Sequence, residues 1–250
     1  MQTPSFTTGD LNLIDRLVRV FYDPQTSFDA VRERETSQDW FAPVALAILV
    51  GLAYHFSTID ITHDPHLPAF QDKLSKLSQE EREKALDALE ASREHSWMRI
   101  PVVAFMSLVV MGAILMAMAR SVMQAEVSFR QMLVVKGYAS MVLVPEWIVG
   151  TMLVLSKGSP DVQTGPGIFV TPALVGTFVG NLMMAINLFD IWQGYIIGLG
   201  VATMADASRT RALVTIFALY AIWIIAGAAV ETVAPRVPLP TPEVVPPPVE

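Results

Sequence analysis

Residues 132–155, MLVVKGYASMVLVPEWIVGTMLVL, form an apolar run that is long enough to cross a bilayer, since a spanning helix needs about 20 mostly apolar residues. The run nevertheless contains Lys136, Pro145 and Glu146. A charge at the centre of such a helix costs about 2.5–3.5 kcal/mol on insertion scales. Lys136 lies near the start of the run, so we expect its long side chain to carry the ammonium back to the headgroups. Glu146 lies near the middle and has no such route.

Two interpretations of Glu146 are open. In the functional one, an intramembrane carboxylate faces a cavity, a proton or cation path, or a polar partner on another helix. In the structural one, Pro145 removes a backbone donor and disturbs the helix, and Glu146 lies beside the break. The structural interpretation is the more common, because proline-broken helices recruit nearby polar groups.

The composition is that of a membrane protein. Of the 250 residues, 52% are hydrophobic and 16% are charged, whereas an ordinary soluble domain has about 25% charged residues. The net charge of -7, without a clustered basic stripe, argues against a nucleic-acid partner. Because the sequence contains no cysteine, disulfides, thiol nucleophiles and cysteine metal sites are excluded.

Five stretches are predicted to span the bilayer: residues 40–59, 100–119, 132–155, 187–204 and 212–230. The second stretch is the clearest, because it has no charge and is bounded by Arg99 and Arg120. We therefore predict an all-α fold, a polytopic transmembrane helix bundle of about five spans.

The count depends on residues 168–204, one apolar stretch that is too long for one span and short for two. Either residues 172–188 cross and 191–204 make a further short crossing, or 172–188 are interfacial or re-entrant and only about 187–204 cross. The positive-inside rule favours the second division, because five crossings put the arginines of the N-terminal segment and of two short connections in the cytoplasm. These arginines are Arg16, Arg19, Arg32, Arg34, Arg120, Arg130, Arg209 and Arg211.

Residues 1–39 are predicted to form short amphipathic N-terminal helices that lie on the membrane or pack on the end of the bundle. Asp23 and Pro24 end the first helix, because the residue before a proline is pushed out of the helical region. A second helix is predicted to begin with Thr26 or Ser27 as its N-cap.

Two further segments lie outside the predicted spans. Residues 60–99 form an extramembrane loop whose second half is predicted to be a helix, with Ser78 as its cap and an ion pair between Glu80 and Lys84. Residues 231–250 are rich in proline and are predicted to be a disordered tail.

Additional polar residues interrupt the apolar segments near the fourth span: Asn181, Asn187, Asp190 and Gln193. If these side chains converge with Glu146 inside the bundle, they form a polar pocket, and a proton or cation path becomes conceivable. This hypothesis rests on residue type and predicted depth.

Two pairs of small residues, Gly176/Gly180 and Gly194/Gly198, have the spacing that lets helix backbones approach closely in lipid. They can pack within the chain or between copies. Packing within the chain is the expected use, because most helix faces of a polytopic protein meet neighbours in the same chain.

Several motifs occur in an order that points to a known family. Gly137-Tyr138, then six residues, then Pro145 resembles the glycine-tyrosine-to-proline motif in a middle span of the YIP family, the Ypt/Rab-interacting membrane proteins. The other matching residues are Phe21-Tyr22-Asp23-Pro24, Phe28 and Trp40 upstream, and Asn187-Leu188-Phe189-Asp190-Ile191-Trp192, Gly194, Gly198 and Gly200 downstream. The sequence is similar to the prokaryotic branch over about residues 15–230, and the Asp-Leu-x-Gly-Pro box of the eukaryotic branch does not occur.

The resemblance implies a multi-pass membrane protein. For eukaryotic members it implies roles in membrane traffic and organelle shape with Rab partners, and for the prokaryotic branch little more than membrane residence. We predict a non-enzymatic scaffold or adaptor for other membrane proteins, or a role in membrane organisation. The alternative is a small transporter, channel or transporter accessory subunit that uses Glu146 and the nearby polar residues.

No motif for a catalytic, cofactor or metal site is found. Phosphate loops, nucleophile elbows, zinc-protease motifs and dinucleotide fingerprints do not occur in the sequence. His63-Asp64-Pro65-His66 fits a polar turn better than a metal site. The expected partners are the lipid bilayer and other membrane proteins or a second copy, and the expected location is a prokaryotic cytoplasmic membrane with the N-terminus in the cytoplasm.

Overall fold

The computed structural model describes residues 11–34 and 36–233, and within these ranges the regular structure is helical without strands. The predicted tail therefore lies outside the described residues from residue 234 onward. The helices are α1 (Leu13–Arg19), α2 (Pro24–Glu33), α3 (Gln38–Thr62), α4 (Pro68–Ser75), α5 (Gln79–His95), α6 (Arg99–Val122), α7 (Phe129–Ala139), α8 (Leu143–Lys157), α9 (Phe178–Ala185), α10 (Leu188–Met204) and α11 (Arg209–Val233).

Within the described ranges, four helical stretches are long and apolar enough to cross a membrane: Gln38–Thr62, Gln79–Val122, Phe129–Lys157 and Arg209–Val233. The helices α9 and α10 meet at a 60° bend and supply a fifth candidate if the bent pair counts as one span. The prediction of an all-α polytopic bundle is thereby confirmed.

The hydrogen-bond pattern of the middle span changes close to its proline. A 3-10 turn, Ser140–Val142, separates α7 from α8, and Pro145 follows within the first turn of α8. A proline has no N–H to donate to the preceding turn, so the regular hydrogen-bond ladder is interrupted there.

The N-terminal helices pack on one end of the bundle. Leu17, Val20 and Phe28 are buried, whereas Ile14 and Val18 on α1 are exposed. The second helix begins earlier than predicted: it starts at Pro24, and the side chain of Asp23 caps it by accepting from the backbone N–H of Thr26. A proline is well placed at a first helical position, because the N–H it lacks would have no partner there.

Helix α5 continues through a 3-10 turn into α6, and its Arg93 side chain forms an ion pair with Asp60 near the end of α3. Together α5 and α6 form a 44-residue helical stretch, about 66 Å long at 1.5 Å per residue, which is about twice the hydrocarbon thickness of a bilayer. The predicted cap is present, because the Ser78 hydroxyl accepts from the backbone of Glu81, and Lys84 pairs with Glu80 at 2.6 Å. No residue of α5 is buried.

The core lies toward the end that carries α1 and α2. Its largest fully buried side chains include Tyr138, Met132, Ile196 and Leu115, which come from α7, α10 and α6. Helix α11 packs on α9 and α10 with one face, and its other face is exposed, with Trp223 78% exposed. This distribution fits helices whose outer faces meet lipid, because lipid tails are as apolar as the side chains they contact.

One of the two glycine pairs does not join helices, and that prediction is wrong. Gly176 has a φ of 76° and lies before α9, which begins at Phe178 after its N-cap Thr177. A Cβ at Gly180 would lie 2.0 Å from the Leu174 carbonyl oxygen, so Gly180 packs on the turn before its own helix.

The second pair lies on the face of α10 that contacts α11. A Cβ at Gly198 would lie 2.6 Å from Leu213 Cδ2 and 3.3 Å from Leu213 Cα, and a Cβ at Gly194 would lie 3.5 Å from Phe217 Cε1. These two glycines therefore pack within the chain.

Candidate functional site

A hydrogen bond joins Glu146 on α8 to Asn187 at the start of α10. Asn187 Nδ2 donates to Glu146 Oε1 at 2.7 Å. The Asn187 Oδ1 atom accepts from Thr164 Oγ1 at 2.9 Å and from the backbone N–H of Phe189 at 2.9 Å. Asn187 therefore caps α10, holds the 158–177 connection through Thr164 and contacts the intramembrane carboxylate at the same time.

The prediction that the Lys136 side chain extends to the headgroups is wrong, because the side chain is buried in the bundle. The residue is 6% exposed, and its ammonium donates to Gln193 Oε1 at 3.1 Å, while Gln193 Nε2 donates to the Ala139 carbonyl at 3.1 Å. The reason is the packing of α7 against α10, which covers Lys136 on the bundle side and supplies a polar partner there.

The predicted convergence of polar residues is only partial. Asp190 is half-buried and interacts electrostatically with Lys136 and with Glu146. Asn181 lies elsewhere, because its Nδ2 donates to Thr232 Oγ1 at 3.1 Å between α9 and α11. Glu146 with Asn187 and Lys136 with Gln193 thus form two neighbouring pairs, and Asp190 is coupled to both of them.

A cavity of about 270 Å³ opens beside Glu146. Its lining includes Tyr54 from α3, Glu146 and Trp147 from α8, Gln163 and Thr164 from the following connection, and Asn187. The cavity is therefore bounded by two spanning helices and by a connecting segment that lies over the start of α10.

A second buried polar network was not predicted from the sequence. Asp39 is fully buried and accepts from Tyr138 at 2.8 Å, forms an ion pair with Arg16 at 3.2 Å, and accepts from the backbone and hydroxyl of Thr36 at 2.8 Å each. Arg16 is 6% exposed. The available signals were an arginine that interrupts the apolar pattern of α1 and an acid beside Trp40, and neither indicated that the two residues meet.

No group of three or more His, Cys, Asp or Glu side chains that could hold a metal occurs among the described residues. The histidine segment forms a turn in which the Asp64 carboxylate accepts from the His66 backbone at 2.8 Å. His63 lies at the end of α3, where partial burial lowers the pKa of its imidazole.

The family model described as Yip1 domain matches residues 18–230. The chain belongs to the Yip1-domain family. It is accordingly an integral membrane protein, and the resemblance seen in the sequence motifs is confirmed. No curated protein and no solved structure matches the chain.

Within this Yip1 domain the motif residues contact one another. A Cβ at Gly137 would lie 2.9 Å from the Trp40 carbonyl oxygen, and the rings of Phe28 and Tyr138 lie 5.8 Å apart. A Cβ at Gly200 would lie 2.7 Å from Phe28 Cζ. The motif residues thereby join α2, α3, α7 and α10 at one end of the bundle.

The upstream and downstream motifs also meet through their aromatic residues. The rings of Phe21 and Trp192 lie 5.7 Å apart, which is a favourable separation for tilted aromatic pairs. The N-terminal helices are therefore attached to the start of α10 as well as to α3 and α7.

Proposed function

We propose that this Yip1-domain protein is a non-enzymatic scaffold or adaptor that contacts other membrane proteins or organises the bilayer. The observation that carries the proposal is the use of four of the family's motif residues: Gly137, Tyr138, Phe28 and Trp40 join helices and do not line the cavity. Asn187 of the downstream motif borders the cavity, but it also caps α10 and holds the preceding connection through Thr164. Motif residues that pack helices against one another fit a protein that acts by presenting a surface to other molecules.

Helix α5 is the surface that we assign to partners. Every residue of α5 is at least partly exposed, and the helix continues the 44-residue stretch that contains the α6 span. Its Glu80–Lys84 pair contributes about 0.2–0.5 kcal/mol to the helix, and its exposed acids give it a charged surface.

The proposed location is a prokaryotic cytoplasmic membrane with the N-terminus in the cytoplasm. Two contacts support a common end for the basic connections: Arg32 pairs with Asp206 at 3.2 Å, and the Arg211 guanidinium donates to the Val122 carbonyl. The positive-inside rule places such an arginine-rich end in the cytoplasm.

Cysteine labelling tests this topology. The chain has no native cysteine, so Ser159→Cys and Ser208→Cys each introduce a single thiol. We expect an impermeant maleimide added to intact cells to label Ser159→Cys, and Ser208→Cys to react only after the membrane is opened. Labelling of both from the same side would contradict five crossings.

Copurification tests the scaffold proposal. The full chain is extracted from membranes without detergent in polymer-bounded discs, and the associated proteins are identified by mass spectrometry. We expect a stable complex with another membrane protein that is retained at constant ratio through a second purification step. A chain that purifies alone would contradict the role as scaffold or adaptor and would leave bilayer organisation as the proposed function.

The alternative function is that of a small transporter or channel, favoured by the cavity beside the Glu146 carboxylate. If the scaffold proposal is correct, the purified protein in proteoliposomes will show no proton or cation flux, and Glu146→Gln will change nothing. Flux that the purified wild-type chain supports alone, and that Glu146→Gln removes, would favour the transporter instead.

A further inference from the structure

Two aromatic side chains, Tyr54 and Trp147, border the cavity beside Glu146, and each packs against a glycine. A Cβ at Gly51 on α3 would lie 2.6 Å from the Trp147 ring, and a Cβ at Gly150 on α8 would lie 3.5 Å from Tyr54 Cε2. Each aromatic ring thus lies over a glycine of the opposite helix. This arrangement lets α3 and α8 approach closely while Tyr54 and Trp147 both border the cavity.

Charges near the cavity do not balance. Lys136 interacts with Asp190, which leaves the Glu146 carboxylate without a cationic partner among the described residues. Its Oε1 accepts from Asn187, whereas Oε2 has no hydrogen-bond partner in the part of the chain that the structure describes. A carboxylate inside a spanning segment is costly, and pairing with a cation or uptake of a proton lowers that cost.

The position of Glu146 limits access to the site. From Glu146, helix α8 continues to Lys157, which corresponds to about 16 Å of helix at 1.5 Å per residue. The connection that carries Gln163 and Thr164 reaches down to this level and closes one side of the cavity. The carboxylate therefore lies about three helical turns below the end of α8, at the level of Gln163 and Thr164.

We propose that this cavity binds a small organic ammonium group, with its positive charge against the Glu146 carboxylate and its alkyl groups against Tyr54 and Trp147. Aromatic side chains attract ammonium ligands through cation–π contacts, and a carboxylate adds an opposite charge for the same ligand. The volume of about 270 Å³ is just below the usual range for ligand pockets, about 300–1,000 Å³, so the occupant is a small amine or a lipid headgroup.

An inorganic divalent cation fits this site less well. Calcium takes six to eight oxygen ligands, and magnesium requires near-octahedral oxygen geometry. Here one carboxylate is present, the Asn187 Oδ1 atom already accepts two hydrogen bonds, and two of the walls are aromatic. Organic ammonium ions need no such set of oxygens, because a cation–π contact replaces part of it.

The first experiment uses free amines. The purified full chain in lipid-depleted detergent is titrated with choline and with ethanolamine by calorimetry. We expect saturable binding that is weakened at least about tenfold in Glu146→Gln, and severalfold in Trp147→Leu and Tyr54→Leu. Asp161→Asn, which changes an exposed acid on the same connection, is the matched control and should bind normally. Thermal unfolding of each variant separates lost binding from lost fold.

The second experiment identifies the source of the ammonium. The chain is placed in discs of phosphatidylethanolamine or phosphatidylglycerol, and the retained lipids are counted by native mass spectrometry. Retention of phosphatidylethanolamine that depends on Glu146 assigns a lipid headgroup, whereas binding of free amines alone assigns a soluble ligand.

Absence of Glu146-dependent binding in both experiments overturns the proposal. The inference does not rest on the scaffold proposal. Both binding measurements use the purified chain without partners, so they can fail or succeed independently of copurification.

Discussion

Replacing Asp39 with alanine is expected to lower the free energy of unfolding by about 3–5 kcal/mol, the usual cost of leaving one member of a buried ion pair without its partner. Asp39 is fully buried, and the Arg16 guanidinium lies 3.2 Å from its Oδ1 with a side chain that is 8% exposed. Arg16 Nε has no hydrogen-bond partner among the described residues. Loss of the Asp39 carboxylate would therefore leave a buried guanidinium that already lacks one hydrogen bond.

Tyr138 supplies the graded comparison for this prediction. Its hydroxyl donates to Asp39 at 2.8 Å, and a hydrogen bond to a charged group contributes about 1.5–3 kcal/mol. Tyr138→Phe removes that bond but leaves the ion pair in place. We therefore expect a smaller loss than for Asp39→Ala.

The measurement is unfolding of each variant in mixed micelles, followed by tryptophan fluorescence. Glu80→Gln is the control, because it breaks an exposed ion pair on α5, where little or no loss is expected. A loss for Asp39→Ala no larger than that for Tyr138→Phe would contradict the account, since it would mean that Arg16 finds water or another acceptor.

The spans were predictable because bilayer thickness sets their length. The uncharged stretch of residues 100–119 lies within α6, and the apolar stretch of residues 212–230 lies within α11. The cap at Ser78 was also predictable, since a capping box is a local interaction of residues three apart. These features depend on short segments of sequence and on lipid as the solvent.

Long-range polar pairs were not predictable. Arg16 meets Asp39, and Lys136 meets Gln193, only because particular helices pack against each other. For Lys136, distance from the end of the span was the wrong criterion. The Lys136 side chain instead extends to a polar partner inside the bundle, and a single sequence does not reveal which helix supplies that partner.

The candidate site was predictable by residue type but not by geometry. Glu146 and Asn187 were singled out as polar groups in apolar segments, and they are hydrogen-bonded to each other. The aromatic walls were not foreseen, because Tyr54 and Trp147 resemble ordinary core or interfacial residues in the sequence. Their role follows from the pairing of α3 with α8, which brings each ring over a glycine.

Gly137→Ala is expected to destabilise the bundle, whereas Gly227→Ala is expected to leave it unchanged or to stabilise it. Both glycines lie within helices. A Cβ at Gly137 would lie 2.9 Å from the Trp40 carbonyl oxygen and 3.3 Å from Trp40 Cα, which are backbone atoms of another helix, whereas a Cβ at Gly227 would meet nothing within 4 Å.

The balance between helix propensity and overpacking decides whether alanine raises or lowers the free energy of unfolding at each position. Alanine in place of glycine favours a helix by about 0.5–1 kcal/mol, which is the whole effect expected for Gly227→Ala. Overpacking costs about 1–3 kcal/mol, so the net result for Gly137→Ala is a loss. Unfolding in mixed micelles measures both variants, and equal stability changes at the two positions would contradict the close approach of α7 to α3.

The same contact links Gly137 to the buried network. Trp40 directly follows Asp39, so a methyl group that displaces the Trp40 carbonyl also moves the carboxylate that accepts from Tyr138. Part of the decrease in the free energy of unfolding of Gly137→Ala should therefore come from weakening of the Tyr138–Asp39 hydrogen bond. We expect the effects of Gly137→Ala and Tyr138→Phe to sum to more than the effect of the double variant, because residues in one network are not independent. Strict additivity would mean that the glycine contact and the Asp39 network stabilise the bundle separately.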